Sequence, residues 1–123
     1  MTNAINWFEI PVTDYKRAKK FYSTIIGEEI IDHHMPTMEY GVFPYDIKNN
    51  LTGGAIVRME GANPSTDGAT VYLNGGDDLS VALGKVEAAG GKIIMPKTNI
   101  DKDGFIAQFI DTEGNKVALH SMS

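Results

Sequence analysis

The sequence predicts an α+β fold built from two β-α-β-β-β modules. Three observations carry that reading: apolar residues alternate over 4–12, apolar residues recur at helical spacing from Tyr15 to Ile26 before a glycine, and the same pattern returns in the second half. Module one spans 1–60 and module two 67–123, joined by the polar linker Gly61–Gly68 within one domain of 123 residues.

In residues 4–12, Phe8, Ile10 and Val12 fall on one face and Trp7, Glu9 and Pro11 on the other, which is the period of a strand. Asp14 stands where an N-cap belongs, because its carboxylate can accept a free amide of the first helical turn. Tyr15, Ala18, Tyr22, Ile25 and Ile26 then recur at helical spacing, with Lys16, Arg17, Lys19 and Lys20 on the wet face, and Gly27 closes the helix. Strand-like stretches follow at 28–34, 37–43 and 51–59, separated by Pro36 and Asn49-Asn50.

In the second half, 69–74 reads as a strand and Asp78 as the cap of a helix carrying Leu79, Ala82, Leu83, Val86 and Ala89. Gly90-Gly91 ends it. Strands are expected at 92–96, 105–110 and 116–121, the last two joined by a type I turn from Asp111 to Gly114. Sixty-four residues separate Asp14 from Asp78 and also Gly27 from Gly91; Tyr15/Leu79, Ala18/Ala82, Tyr22/Val86 and Ile30/Ile94 match at that offset.

The composition narrows the function. Eleven basic against 16 acidic residues give a net charge of −5, which argues against binding nucleic acid through its phosphates. The absence of cysteine excludes a disulfide framework, a thiolate metal site and a cysteine nucleophile. No apolar run is long enough to span a membrane and no signal peptide is visible, so a soluble cytoplasmic protein is expected. Neither Gly-x-Ser-x-Gly nor Gly-x-Gly-x-x-Gly occurs, which leaves no footing for hydrolase-elbow or dinucleotide readings.

Ile10-Pro11-Val12-Thr13-Asp14, Arg17-Ala18, Phe21-Tyr22 and Gly27 resemble the opening of the vicinal oxygen chelate superfamily, which holds glyoxalase I, bleomycin- and fosfomycin-resistance proteins and extradiol dioxygenases. Glu87-Ala88-Ala89-Gly90-Gly91, Met95-Pro96, Gly104 and the stretch Phe109–Asn115 resemble its ending. The likeness covers nearly the whole chain and is nearest to small glyoxalase-like members. It implies a curved eight-stranded cup with helices on the convex side, and a homodimer. In metal-dependent members, the first strand supplies His or Gln, the fourth Glu, the fifth His and the eighth Glu. The metal then acts as a Lewis acid on two adjacent substrate oxygens.

Counted from Asp14, Asp78 and the pattern Asp-x-x-Gly-Asn-x-x-Glu, those positions fall on Trp7, Gly54, Val71 and Ala118. None of these side chains binds such a cation, so no metal and no cofactor is expected. A register slip of two would offer Glu9 and His120, too few for a dedicated site.

Several residues carry candidate chemistry. Glu9 lies by parity on the cup side with Trp7, where it suits a general acid or base; its plainer role is a solvated carboxylate or an ion pair with Arg58. His120 shares its side with Ala118 and Lys116 and could carry a proton near neutral pH. Tyr40, Phe43 and Gln108 are candidate ligand contacts beside Trp7 and Arg58, Tyr40 and Phe43 being on opposite faces of a regular strand. His33 and His34 point to opposite faces and do not chelate together. Gly53-Gly54 marks a bulge or a close ligand approach.

The expectation is a metal-free protein that binds a small, partly apolar or aromatic molecule in the cup. The alternatives are a lyase, isomerase or dioxygenase-like enzyme, using Glu9 and His120 or a rearranged metal site, and a non-catalytic accessory module.

Overall fold

The computed structural model describes residues 4–123. Module one runs β1 (Trp7–Pro11), α1 (Tyr15–Ile26), β2 (Ile31–His34), β3 (Glu39–Val42) and β4 (Gly53–Arg58). Module two runs β5 (Tyr72–Asn74), α2 (Ser80–Leu83), β6 (Lys92–Asn99), β7 (Phe105–Ile110) and β8 (Lys116–Ser121), with a short 3₁₀ turn at Asp101–Asp103. Each module makes its own four-stranded mixed sheet, ordered β1-β4-β3-β2 and β5-β8-β7-β6. The first and last strand of each module pair in parallel, because a helix carries the chain across between them. The eight strands are therefore two hydrogen-bonded sheets, and β1 and β5 are edge strands with no ladder between them. No helix among the described residues is long and apolar enough to cross a membrane.

Helix α1 forms as its sequence dictates. Asp14 Oδ1 accepts the Arg17 amide at 3.1 Å, and Gly27 closes the helix at a φ of 82°, a left-handed conformation that glycine takes without steric penalty. Tyr15, Ala18, Phe21, Tyr22 and Ile25 are buried against the sheet.

Helix α2 differs from the expectation of a regular helix up to Gly90. It is regular only over Ser80–Leu83, after which i−3 bonds (Lys85 to Ala82, Val86 to Leu83) mix with i−4 bonds. Gly84 stands at the change, and a glycine inside a helix costs about 1 kcal/mol relative to alanine. Asp78 still serves the start: its Oδ1 accepts the Ser80 amide at 2.9 Å and pairs with Lys97.

One core joins both modules. Ile10, Val12, Phe21, Tyr22 and Ile56 from the first pack with Leu73, Leu79, Val86, Phe109 and Leu119 from the second. The turn between β7 and β8 then grips the joint between β1 and α1. Glu113 Oε1 accepts the amides of Thr13 (2.9 Å) and Asp14 (2.7 Å), Arg17 Nε donates to Glu113 Oε2 at 2.8 Å, and Asn115 Nδ2 donates to the Pro11 carbonyl at 2.7 Å. Beneath them, the buried Tyr22 hydroxyl donates to Asp111 Oδ2 at 2.6 Å. Burial and the neighbouring Asp111 push the Tyr22 phenol well above its ordinary pKa.

The repeat is real, but a single offset does not describe it. Trp7 opposes Gly53 and Tyr72 opposes Ala118, so the first and last strands of the modules correspond at 65 residues. Ile30 is fully buried whereas Ile94 is 44 % exposed, because Ile93 rather than Ile94 packs into the core.

Candidate functional site

On the face of the first sheet turned away from α1, β1 presents Trp7 and Glu9, β3 presents Tyr40 and Val42, and β4 presents Gly53, Ala55 and Val57. Trp7 Nε1–H donates to the Tyr40 hydroxyl at 2.8 Å, and that hydroxyl donates to Glu9 Oε2 at 2.6 Å. Burial, then the bond to Glu9, raises the Tyr40 phenol above its ordinary pKa, outweighing the opposite effect of the Trp7 N–H. The phenol therefore stays protonated and holds the indole and the carboxylate in line.

Tyr45 completes this face. Its ring meets Trp7 edge-on, with centroids 5.7 Å apart, and lies over Gly53, where an added Cβ would stand 2.6 Å from it. The next glycine is equally confined, since a Cβ at Gly54 would stand 2.3 Å from the Phe8 ring on the core side. The Gly53-Gly54 pair is thus not a bulge. It is a regular stretch of ladder pressed from both sides by aromatic rings.

The second sheet repeats the arrangement. Tyr72 and Asn74 on β5, Gln108 on β7, and Ala118 and His120 on β8 share one face. Gln108 Nε2 reaches the Tyr72 hydroxyl at 3.5 Å across the fully buried Ala118. His120 Nε2 stands 2.7 Å from the Asp103 carbonyl.

These registers correct two of the ligand positions. Gly54 points to the core, and its neighbour Gly53 opposes Trp7; Val71 precedes β5, and Tyr72 opposes Ala118. In these strands the modules correspond at 65 residues rather than 64, so the count ran one past Gly53 and stopped one before Tyr72, and a one-residue slip reverses the face of a strand residue. The four positions are Trp7, Gly53, Tyr72 and Ala118, leaving one phenol as the only donor where three protein ligands are the rule. Among the described residues no cluster of three His, Asp or Glu converges elsewhere. The residues do not fit the metal of the chelating members.

Other expectations also change. Arg58 lies on the helix side of β4, where it pairs with Glu39 and cannot meet Glu9. Phe43 packs against Phe8 and Tyr22 on the face opposite Tyr40, as a regular strand requires, and lines the cleft between the modules. Glu9 and His120 line different clefts: Glu9 a small one with Asn63, Ser65 and Lys116, His120 one bounded by Tyr72 and Asn74. The structure does not bring them together as an acid–base pair.

Between the modules lies a cleft of about 740 Å³, a volume within the range of small-molecule sites. Ile5, Phe8 and Phe43 line it from module one, Val71, Tyr72 and Leu73 from module two, and no charged side chain reaches it. Tyr45 and Tyr72 were not among the expected site residues. A glycine pair within an apolar strand pointed to a large neighbour without naming it, and Tyr72 needed the register of β5.

The sequence profile of the Glyoxalase/Bleomycin resistance protein/Dioxygenase superfamily matches residues 4–119. A glyoxylase-like domain-containing protein of Didymella fabae is 33% identical over 121 residues, covering 94% of this chain and 91% of that one. CFP32 of Mycobacterium tuberculosis, whose name marks it as a glyoxylase, is 30% identical over 117 residues, covering 93% of this chain. The chain spans less than half of CFP32, 44% of its length. Among solved structures, a glyoxalase/bleomycin resistance protein from Albidiferax ferrireducens superposes with a TM-score of 0.75 at 17% identity, covering 98% of this chain and all of that one; that likeness concerns the fold.

Proposed function

Because this chain belongs to the Glyoxalase/Bleomycin resistance protein/Dioxygenase superfamily, we propose that it is a metal-independent member that binds a small, uncharged aromatic molecule in the cleft between its modules. One observation carries the reading. At the four positions where chelating relatives place metal ligands, this chain has an aromatic ring beside a very small residue in each module, Trp7 with Gly53 and Tyr72 with Ala118. Of these four, Gly53 and Tyr72 border the 740 Å³ cleft, whose aromatic lining is Tyr72 with Phe8 and Phe43. Aromatic rings favour flat apolar partners through area burial and edge or offset contacts. The lack of any charged lining residue disfavours an ionised ligand, which would lose its hydration without a counter-charge.

A homodimer is part of the same reading: Ile31 and Met35 lie exposed on and just beyond the edge strand β2, and a two-fold contact would cover them. Light scattering after gel filtration measures it.

The binding test uses indole, naphthalene and propylbenzene as neutral probes. At least one probe is expected to raise the melting temperature, and Val71→Phe, which narrows the cleft, abolishes that effect. Failure of all three to stabilise the chain at millimolar concentration refutes the proposal.

A further inference from the structure

The cleft between the modules shares β5 with a neighbouring cleft. Tyr72, Leu73 and Asn74 also line a second, polar cleft of about 460 Å³, which takes in Gly76, His120, Ser121 and Met122. We propose that His120 Nδ1 and the Asn74 amide together recognise a hydroxyl group on the bound ring, so that the chain selects neutral phenols over the corresponding ethers. The inference rests on the reading that the larger cleft holds an uncharged aromatic ring.

The argument begins at Asp103. Its backbone carbonyl can only accept a hydrogen bond, and His120 Nε2 stands 2.7 Å from it. Nε2 must therefore carry the proton, and in the neutral imidazole Nδ1 is then a lone-pair acceptor. Among the described residues no hydrogen bond engages Nδ1, and the ring is part of the lining of the second cleft. Asn74 is fixed in the complementary sense. Its Oδ1 accepts the Gly76 amide at 2.8 Å, which leaves Nδ2 as a donor.

Asn74 and His120 are direct partners in the β5–β8 ladder, so their side chains stand beside each other on the same face as Tyr72. One acceptor and one donor side by side match a hydroxyl, which donates through its hydrogen and accepts through its oxygen. An ether offers only the acceptor. A carboxylate or an ammonium finds no Asp, Glu, Lys or Arg lining either cleft. Tyr72 and Asn74 line both clefts, so a ring seated in the apolar one with its hydroxyl at the β5 end would present its oxygen toward His120.

Calorimetric titration with 4-propylphenol, its methyl ether and 4-propylbenzoate tests the inference on the wild-type chain and on His120→Phe. The phenol is expected to bind about tenfold more tightly than the ether, the preference of one net hydrogen bond, and His120→Phe removes the preference while the ether keeps its affinity. The benzoate is expected not to bind. If neither phenol nor ether binds, the reading of an aromatic cleft fails and the inference with it. If both bind equally, or the preference survives in His120→Phe, the cleft stands and the role of His120 is overturned. Should the variant not fold, nitrogen-15 NMR of the wild-type imidazole decides: a protonated Nδ1, or no shift of Nδ1 on adding the phenol, overturns the inference.

Discussion

Replacing Glu113 with glutamine keeps the shape of the clamp between the modules and removes its charge. The carboxylate side chain is fully shielded, yet its pKa is about 2 against an ordinary 4.5. Desolvation alone would push it up, but the bond from Arg17, the Asp14 amide and the hydroxyls of Thr112 and Thr13 more than offset that. That fall, at about 1.4 kcal/mol per pH unit, sets an upper figure of about 3 kcal/mol. Arg17 is half-exposed, and screening there brings the expectation to about 2 kcal/mol. Folding depresses this carboxyl, so its contribution is complete above about pH 4.5 and disappears as the pH falls toward 2. Urea denaturation at pH 7 should therefore place Glu113→Gln about 2 kcal/mol below wild type, with a melting temperature about 8 °C lower. The two curves should converge between pH 4.5 and pH 2. A difference under about 0.5 kcal/mol at pH 7, or one that persists unchanged at pH 2.5, refutes the reasoning.

Tyr22→Phe deletes the buried donor to Asp111, which keeps the Glu113 and Asn115 amides and Asn115 Nδ2 as partners; chemical denaturation should show a loss of about 1–2 kcal/mol. Gly53→Glu restores a carboxylate at the fourth-strand ligand position but drives its Cβ against the Tyr45 ring, so it should lower stability by about 1–3 kcal/mol without creating zinc binding by calorimetry. In an alkaline absorbance titration Tyr15, Tyr22 and Tyr40 should ionise after the ordinary phenol range, burial being the first cause in each. Lys97→Met should let the Asp78 carboxyl rise from about 2 toward its usual value in a carbon-13 NMR titration, since the Lys97 bond is the largest cause of the depression.

The fold was legible because its signals are local. Alternation over Trp7–Pro11, the Asp14 cap and Gly27 each act within a few residues, and the strands at Phe105–Ile110 and Lys116–Ser121 fall where alternation puts them. Helix α2 was overestimated because apolar spacing alone does not weigh Gly84. The site was less legible because it depends on register. Counting back from Asp78 assumed that both modules use the same number of residues between strand and cap. The second uses one fewer, six from Tyr72 to Asp78 against seven from Trp7 to Asp14. That single residue exchanged Tyr72 for Val71 and turned a face outside in. The bond from Tyr40 to Glu9 and the ring of Tyr45 over Gly53 join residues on different strands, and no pattern within one strand announces them.

The start of α1 is finished by a residue 100 positions further along the chain, since the Thr13 amide is satisfied by Glu113. Asp14 caps the first turn from within its own segment, but the amides of Thr13 and Asp14 stay bonded to water until the turn between β7 and β8 has been made. A contact so distant in sequence is slow to close, because the entropy of bringing its ends together is spent before the bond forms. The two modules are therefore not independent beads. The earlier is completed by the later, and a nascent chain stopped short of Glu113 holds a first module whose helix lacks its outer cap.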